Sequence, residues 1–286
     1  LVGVAIDRLR RAADNQPSER VLITYPFFYM MAQMEFLLAI YTGGTAFIAN
    51  KPSLTKFMTW VKTYRIHYCA MNPMVYRGLP PDDGDHDNEL RFIAAYYHTG
   101  DTLRELEARF NTVGRDSYGM TETGSGTIMP AAATHMLDSA SCGLPSLFRE
   151  FRILDEQGNE LPPGENGELC MAGKGMFWGY YKRPKTNRES FHGRWFRTGD
   201  LARVDENGYI YIVGRIKEMI KRSGENISAG EVEKIVREHP DIREVAAVAM
   251  PDPQRMEEVK IVVTLRNNKT KNEITPEVLR KHCEDR

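Results

Sequence analysis

Between positions 21 and 66, short apolar runs alternate with longer segments of helical period, and this rhythm restricts the fold more than any other feature. Residues 21–25 read as a strand and residues 30–41 as a helix. After the Gly43-Gly44 break, 46–49 and 54–64 repeat the pair, and 91–95 with 103–110 gives a third. Strands joined by helix-length crossovers lie parallel, so 21–142 is expected to form parallel βα layers. The run from Phe27 to Ala49 is the most apolar, yet Gln33, Glu35 and Gly43-Gly44 interrupt it, which makes it too short for a transmembrane helix.

From Gly143 the pattern becomes short alternating strands with turn signals: 151–154, the Asp155-Glu156-Gln157-Gly158-Asn159 turn, 168–172 and 208–213. These predict an antiparallel β subdomain over 143–213. A further change falls near Arg215 to Lys217. Ser228-Ala229-Gly230-Glu231 has the spacing of a capping box, strands 245–249 and 260–265 follow, and Thr275-Pro276 opens a last helix. The expected fold class is therefore α/β. A large domain (1–216) of parallel βα layers plus an antiparallel β subdomain is followed by a small mobile α+β C-terminal domain (217–286), both incomplete here.

Charge and cysteine content remove whole function classes. Lys plus Arg (38) balances Asp plus Glu (39), which leaves no field to gather nucleic acid. Cys69, Cys142, Cys170 and Cys283 stand far apart without a C-x-x-C pair, against a zinc site or disulfide scaffold and in favour of a reducing cytoplasm. Cys142 and Cys170 read as small buried residues. No export signal opens the chain, whose first residue, Leu1, reads as though something preceded it. Oligomeric state is left open.

Three segments concentrate chemistry. Asp116-Ser117-Tyr118-Gly119-Met120-Thr121-Glu122-Thr123 places a ring, a hydroxyl and a carboxylate around a glycine, which suits base stacking, phosphate contact and Mg²⁺ ligation, or else a plain turn with a helix cap. In Trp195-Phe196-Arg197-Thr198-Gly199-Asp200-Leu201 the carboxylate can accept both hydroxyls of a ribose, or Asp200 simply starts a turn before the next strand. The run from Gly214 to Ser228 mixes cations and glycines and, alone, reads as a solvated face.

In order and separation these three segments resemble the adenylate-forming (AMP-binding) superfamily: acyl-CoA synthetases, aryl-CoA ligases, luciferases and peptide-synthetase adenylation domains. Met219-Ile220-Lys221-Arg222-Ser223-Gly224-Glu225-Asn226 and the 117–123 string look most like the crotonobetaine/carnitine-CoA ligase group, with fatty acyl-CoA ligases close behind. The resemblance implies an enzyme that adenylates a carboxylate with ATP and Mg²⁺, then transfers the acyl group to coenzyme A.

By the same resemblance Tyr118 stacks on adenine, Asp116 lies near its exocyclic amine, and Gly119 belongs to the same nucleotide loop. Thr121 contacts phosphate and Glu122 is the metal ligand. Asp200 grips the ribose with Arg215 beside it, and Lys217 is the hinge of the C-terminal domain. Lys221 and Gly224 face the site in the thioester-forming pose. Gly100, in Tyr97-His98-Thr99-Gly100-Asp101-Thr102, aligns loosely with the loop over the other face of adenine. Tyr29 falls at the wall between acyl and CoA tunnels, or is merely core.

Two further family lysines are expected outside 1–286, one in an upstream Ser/Thr/Gly-rich phosphate loop and one downstream, so a chain limited to these residues should not adenylate. Alternatives that the resemblance leaves open are an adenylation domain loading a carrier protein, a luciferase-like oxygenase and a non-catalytic AMP-binding relative.

Overall fold

The structure is a computed structural model that describes residues 18–96, 100–223, 225–266 and 273–284. Two compact units divide the chain. The first holds the described residues within 1–152, 170–196 and 204–211, and the second those within 153–169, 197–203 and 212–286.

The first unit is built on a five-stranded parallel sheet: β1 (Arg20–Ile23), β2 (Thr45–Ile48), β3 (Tyr68–Met71), β4 (Phe92–Ala95) and β5 (Val113–Arg115), in the order β2-β1-β3-β4-β5. Its crossovers are helices α1 (Met30–Tyr41), α2 (Phe57–Thr63), α3 (Pro73–Gly78) and α4 (Gly100–Phe110). Side chains alternate across a strand, so the sheet has two apolar faces. Leu22, Cys69, Met71, Ile93 and Ala95 join α2 and α4 through Phe57, Val61, Leu106 and Phe110. Val21, Ile23, Ala70, Phe92 and Ala94 join α1 through Ala32, Leu38 and Ala39. Helices on both faces explain why the strands read as unbroken apolar runs.

The expected strands and helices of 21–110 are present, with ends moved by up to a few residues. Strands β3 and β5 and helix α3 went unforeseen. His67-Tyr68-Cys69-Ala70-Met71 lacks turn signals, and β5 is only three residues long, whereas α3 is set by Asn72 accepting from Val75 N (2.9 Å) ahead of Pro73. Tyr29 is not core. It is about half exposed and packs against Tyr25 and Phe28, at ring centroid separations of 6.3 and 4.7 Å, because it lies in the turn ahead of α1 and not on the helix's inner face.

Two short antiparallel pairs follow: β6 (Gly119–Met120) with β7 (Gly124–Ser125), and β8 (Thr127–Ile128) with β9 (Leu144–Pro145). A five-stranded sheet runs in the order β10-β11-β13-β12, with β14 paired to β13. Its strands are β10 (Arg149–Leu154), β11 (Gly167–Gly173), β12 (Phe191–His192), β13 (Trp195–Val204) and β14 (Ile210–Arg215), and α5 (Pro184–Ser190) precedes β12. The Asp155 turn forms as expected, with Asn159 Nδ2 donating to Asp155 Oδ2 at 2.9 Å and Asn159 N to Oδ1 at 2.8 Å, bonds that hold the carboxyl below its ordinary range.

In the second unit β15 (Met219–Arg222), β16 (Glu225–Ser228), β17 (Ile242–Asp252) and β18 (Met256–Leu265) make a sheet in the order β16-β15-β18-β17, with α6 (Ala229–Arg237) and α7 (Pro276–Glu284). Ser228 Oγ caps α6 by accepting from Glu231 N (3.3 Å), the first arm of the anticipated box. Val236 of α6 and Leu279 of α7 close a core with Ile242, Val245 and Ile261. Among the described residues no helix is long and apolar enough to cross a membrane. None of the four cysteines is joined in a disulfide, and Cys142 and Cys170 are buried as expected.

Candidate active site

In the first unit the candidate residues follow the carboxyl end of edge strand β5, the end of a parallel sheet where ligands ordinarily bind. Asp116 turns the chain out of the sheet, its Oδ1 accepting from Ser117 N at 2.7 Å while its carbonyl accepts from Met129 N at 3.0 Å. Tyr118 is then fixed by its backbone. Its N–H donates to Thr127 Oγ1 (3.0 Å), and its carbonyl accepts from the Gly126 and Thr127 amides (2.8 and 2.9 Å). The half-exposed ring passes over Gly126, where an added Cβ would stand 3.1 Å from Tyr118 Cδ1. Glycine there leaves room for the ring close to the backbone.

Gly119 has a structural reason of its own. A Cβ at this position would meet the Gly124 carbonyl oxygen at 2.5 Å, so the β6–β7 hairpin closes only around glycine. Inside the hairpin Thr123 is fully buried, and its Oγ1 accepts from Met120 N (3.3 Å) and donates to Gly124 O (3.0 Å). The tip therefore presents Thr121, exposed, and Glu122, half-buried. The structure thus brings Asp116, Tyr118, Thr121 and Glu122 onto one hairpin loop, and replaces the helix-cap reading of that segment.

Two residues that sequence reasoning passed over hold this loop. Tyr180 Oη donates to Glu122 Oε1 at 2.9 Å, and Phe177 N donates to the Glu122 carbonyl at 2.9 Å. Burial and the adjacent Glu122 carboxylate push the Tyr180 hydroxyl up to about 12, so it remains a neutral donor. Arg149 is buried beneath the hairpin and donates through Nε to Thr123 O (2.9 Å) and through Nη1 to Lys174 O. Burial lowers its guanidinium from the ordinary value. The clustered aromatics of 177–181 were the available signal for Tyr180, whereas nothing local marks Arg149.

The second unit carries the other pair. Asp200 does not start a turn. It lies in the middle of the ten-residue strand β13, only 3% exposed, because Gly199 takes φ +72° and bends the strand there without ending it. Arg215 Nε sits 2.8 Å from Asp200 Oδ1, and Arg215 Nη1 donates to Thr198 O at 3.3 Å. Thr198 Oγ1 accepts from Asp200 N (3.1 Å) and donates to Leu169 O (2.7 Å). Glu168 accepts from Gly199 N (3.2 Å) and pairs with Arg197. Asp200 and Arg215 are thus a preset pair, its carboxylate buried and its guanidinium partly open to solvent.

Lys217 is exposed in a 3₁₀ turn (Ile216–Glu218) between β14 and β15, and exposed Lys221 lies on β15 with its amide bound to Glu257 Oε2 at 2.6 Å. Gly224 lies outside the described residues, as do Tyr97, His98 and Thr99, and Gly100 is the first residue of α4.

Among the described residues no cluster of three or more His, Cys, Asp or Glu could hold a metal. Glu122 with the Thr121 hydroxyl beside it is the donor set suited to Mg²⁺, which takes one or two carboxylates and fills its shell with substrate phosphate oxygens and water.

The chain belongs to the AMP-binding enzyme family: residues 3–181 match that family's profile, and residues 231–286 match the AMP-binding enzyme C-terminal domain. Among curated relatives, the medium/long-chain-fatty-acid–CoA ligase FadD8 of Mycobacterium tuberculosis is 31% identical over 83% of this chain and 43% of its own length. The crotonobetaine/carnitine–CoA ligase of Citrobacter koseri is 34% identical over 88% of this chain and 50% of its own. The chain therefore spans about half the length of the curated relatives it matches. In fold it is similar to the o-succinylbenzoate CoA synthetase of Bacillus subtilis, solved with ATP and magnesium ion, with a TM-score of 0.86, 21% identity and coverage of 100% of this chain and 59% of that one.

Proposed function

We propose that the protein is an ATP-dependent acid–thiol ligase, which joins a carboxylate to AMP with release of pyrophosphate and passes the acyl group to coenzyme A. Family membership supports this reading, as do the names of the relatives, which are CoA ligases. The observation that carries it is the loop of 116–123, where a partly exposed ring, a hydroxyl and an oriented carboxylate stand together on a backbone tied down by Thr127, Arg149 and Phe177.

Tyr118 offers its ring face to adenine, with Asp116 near the amine and Thr121 donating to phosphate. Glu122 is the carboxylate for Mg²⁺, kept in one orientation by Tyr180. When bound, the metal neutralises phosphate charge and helps pyrophosphate leave. Asp200 accepts the ribose hydroxyls, with Arg215 beside it. Catalysis of this kind is positioning and charge neutralisation, so no nucleophilic side chain is required. We take 217–286 as the mobile C-terminal domain, with Lys217 at its hinge and Lys221 and Gly224 serving the thioester step. Gly100 borders the adenine loop. The widely spaced cysteines, none of them in a disulfide, support a cytoplasmic location.

The test is ATP–pyrophosphate exchange by the full-length protein across a panel of carboxylates, followed by detection of acyl-CoA. Exchange together with thioester product is the expected result. AMP binding without exchange on any acid would make the protein a non-catalytic relative, and exchange with acyl transfer only to a carrier protein would replace coenzyme A as acceptor.

A further inference from the structure

Trp178 and Tyr181 take no part in the site and yet stand in water. Their relative exposures are 101% and 86%, in a chain whose other two tryptophans, Trp60 and Trp195, are partly buried. The exposure is built in. Gly173, Gly175, Gly179 and Lys182 take φ of +142°, +82°, +132° and +55°, turning the chain outward and back. Between them Phe177 is anchored against the rings of Tyr180, Phe191 and Phe196, at 5.0, 5.6 and 4.9 Å. Asn187 of α5 clamps the return, its Oδ1 accepting from Tyr180 N (2.7 Å) and its Nδ2 donating to Tyr180 O (3.0 Å). With Phe177 and Tyr180 held inward, Trp178 and Tyr181 are left outward. A large aromatic surface kept in water by an ordered backbone marks an interaction site.

The charge around the rings identifies the partner. Lys174, Lys182, Arg183, Lys185 and Arg188 are all exposed, and Glu189, 4.0 Å from Lys185, is the one carboxylate in 174–189. The whole chain has a net charge of −1, so this positive field is local. Lys182 Nζ lies 5.3 Å from the Tyr181 ring centroid, joining cation and ring in one surface. Indole and phenol rings with an apolar body and a polar edge, ringed by long cationic side chains, match the headgroup layer of a bilayer.

We propose that 174–189 is a peripheral membrane contact. Trp178 and Tyr181 seat at headgroup depth, and the five cations face the phosphates of anionic lipid. No membrane-spanning segment is needed, and the surface is independent of the ligase reading.

The experiment is flotation of the full-length protein with vesicles of phosphatidylcholine, with and without phosphatidylglycerol. Binding to the anionic vesicles is expected, weakening with salt and accompanied by a blue shift of tryptophan emission. Trp178→Ala should lower the partition coefficient roughly tenfold. Lys182→Gln, Arg183→Gln and Lys185→Gln together should lower it by roughly fivefold per cation. Both variants should keep the soluble activity and melting temperature of the parent, which shows that they fold. Failure of the parent to bind either vesicle, or binding that Trp178→Ala leaves unchanged, overturns the proposal. So does a parent dimer that Trp178→Ala converts to monomer in the absence of lipid, since the patch would then be a self-association surface.

Discussion

Tyr180→Phe isolates a single hydrogen bond at the candidate site. The hydroxyl lies 2.9 Å from Glu122 Oε1, and Tyr180 also packs on Phe177, so the phenylalanine ring keeps the packing and loses only the donor. A hydrogen bond to a charged acceptor contributes about 1.5–3 kcal/mol, and half-exposure of Glu122 puts this one at the lower end. If that orientation serves Mg²⁺-ATP, the loss should appear in kcat/KM for ATP as a fall of roughly tenfold, the equivalent of about 1.4 kcal/mol. Folding stability should drop by no more than about 1 kcal/mol, because the freed carboxylate can rehydrate. The assay is pyrophosphate exchange as a function of magnesium concentration, in parent, Tyr180→Phe, Glu122→Gln and the double variant. The tenfold loss should shrink to less than about twofold in the Glu122→Gln background, since the two groups act through each other. An equal loss in both backgrounds, or a lowered melting temperature with unchanged ATP use, would refute the reasoning.

Asp200→Asn should weaken ATP use by about tenfold or more, read as KM for ATP. The cost in stability should be only about 1–2 kcal/mol, below that of breaking a fully buried pair, because Arg215 can turn to solvent; a stability loss alone would count against the ribose role. Gly119→Ala should destabilise the first unit by about 2 kcal/mol or more, measured by chemical denaturation, since its Cβ meets a backbone oxygen at 2.5 Å that no rotamer change relieves. Lys217→Pro should slow thioester formation more than adenylation in single-turnover assays, and an equal effect on both would remove the hinge assignment. Arg222, then Arg255, hold the Glu258 carboxyl down to about 2. The depressed value contributes stability above the ordinary carboxylate range, and that stability is lost as pH falls through 2. Melting curves of Glu258→Gln should therefore converge with the parent's at the acid end and lie below them at neutral pH.

Much of the fold can be read from periodicity because the parallel strands are short, apolar on both faces and separated by helices of distinct rhythm. Where that contrast is missing the reading fails. Strand β3 follows α2 after a few residues with no punctuating Gly or Pro, and β13 contains Gly199, which looks like a turn in one dimension and is a bend inside a continuous strand in three. At the site, side chains that act from their own loop, such as Tyr118 and Glu122, announce themselves by local clustering. Tyr180 is 58 positions from its partner Glu122, and the Arg149 contact with Thr123 spans 26, so their roles arise from tertiary placement; the aromatic cluster of 177–181 marks Tyr180 without naming its partner, and nothing local marks Arg149.

Arg149 also bears on how the site could be transplanted. Its guanidinium addresses the carbonyls of Thr123 and Lys174, which every amino acid possesses, so the support it gives is blind to which residue occupies position 174. Grafting 116–123 alone into another scaffold would move the functional groups and leave their footing behind. Conversely, a change of side chain at position 174 would leave this support in place, provided Arg149 and the local backbone path are retained, while lysine at 149 would forfeit the fork that reaches two carbonyls at once.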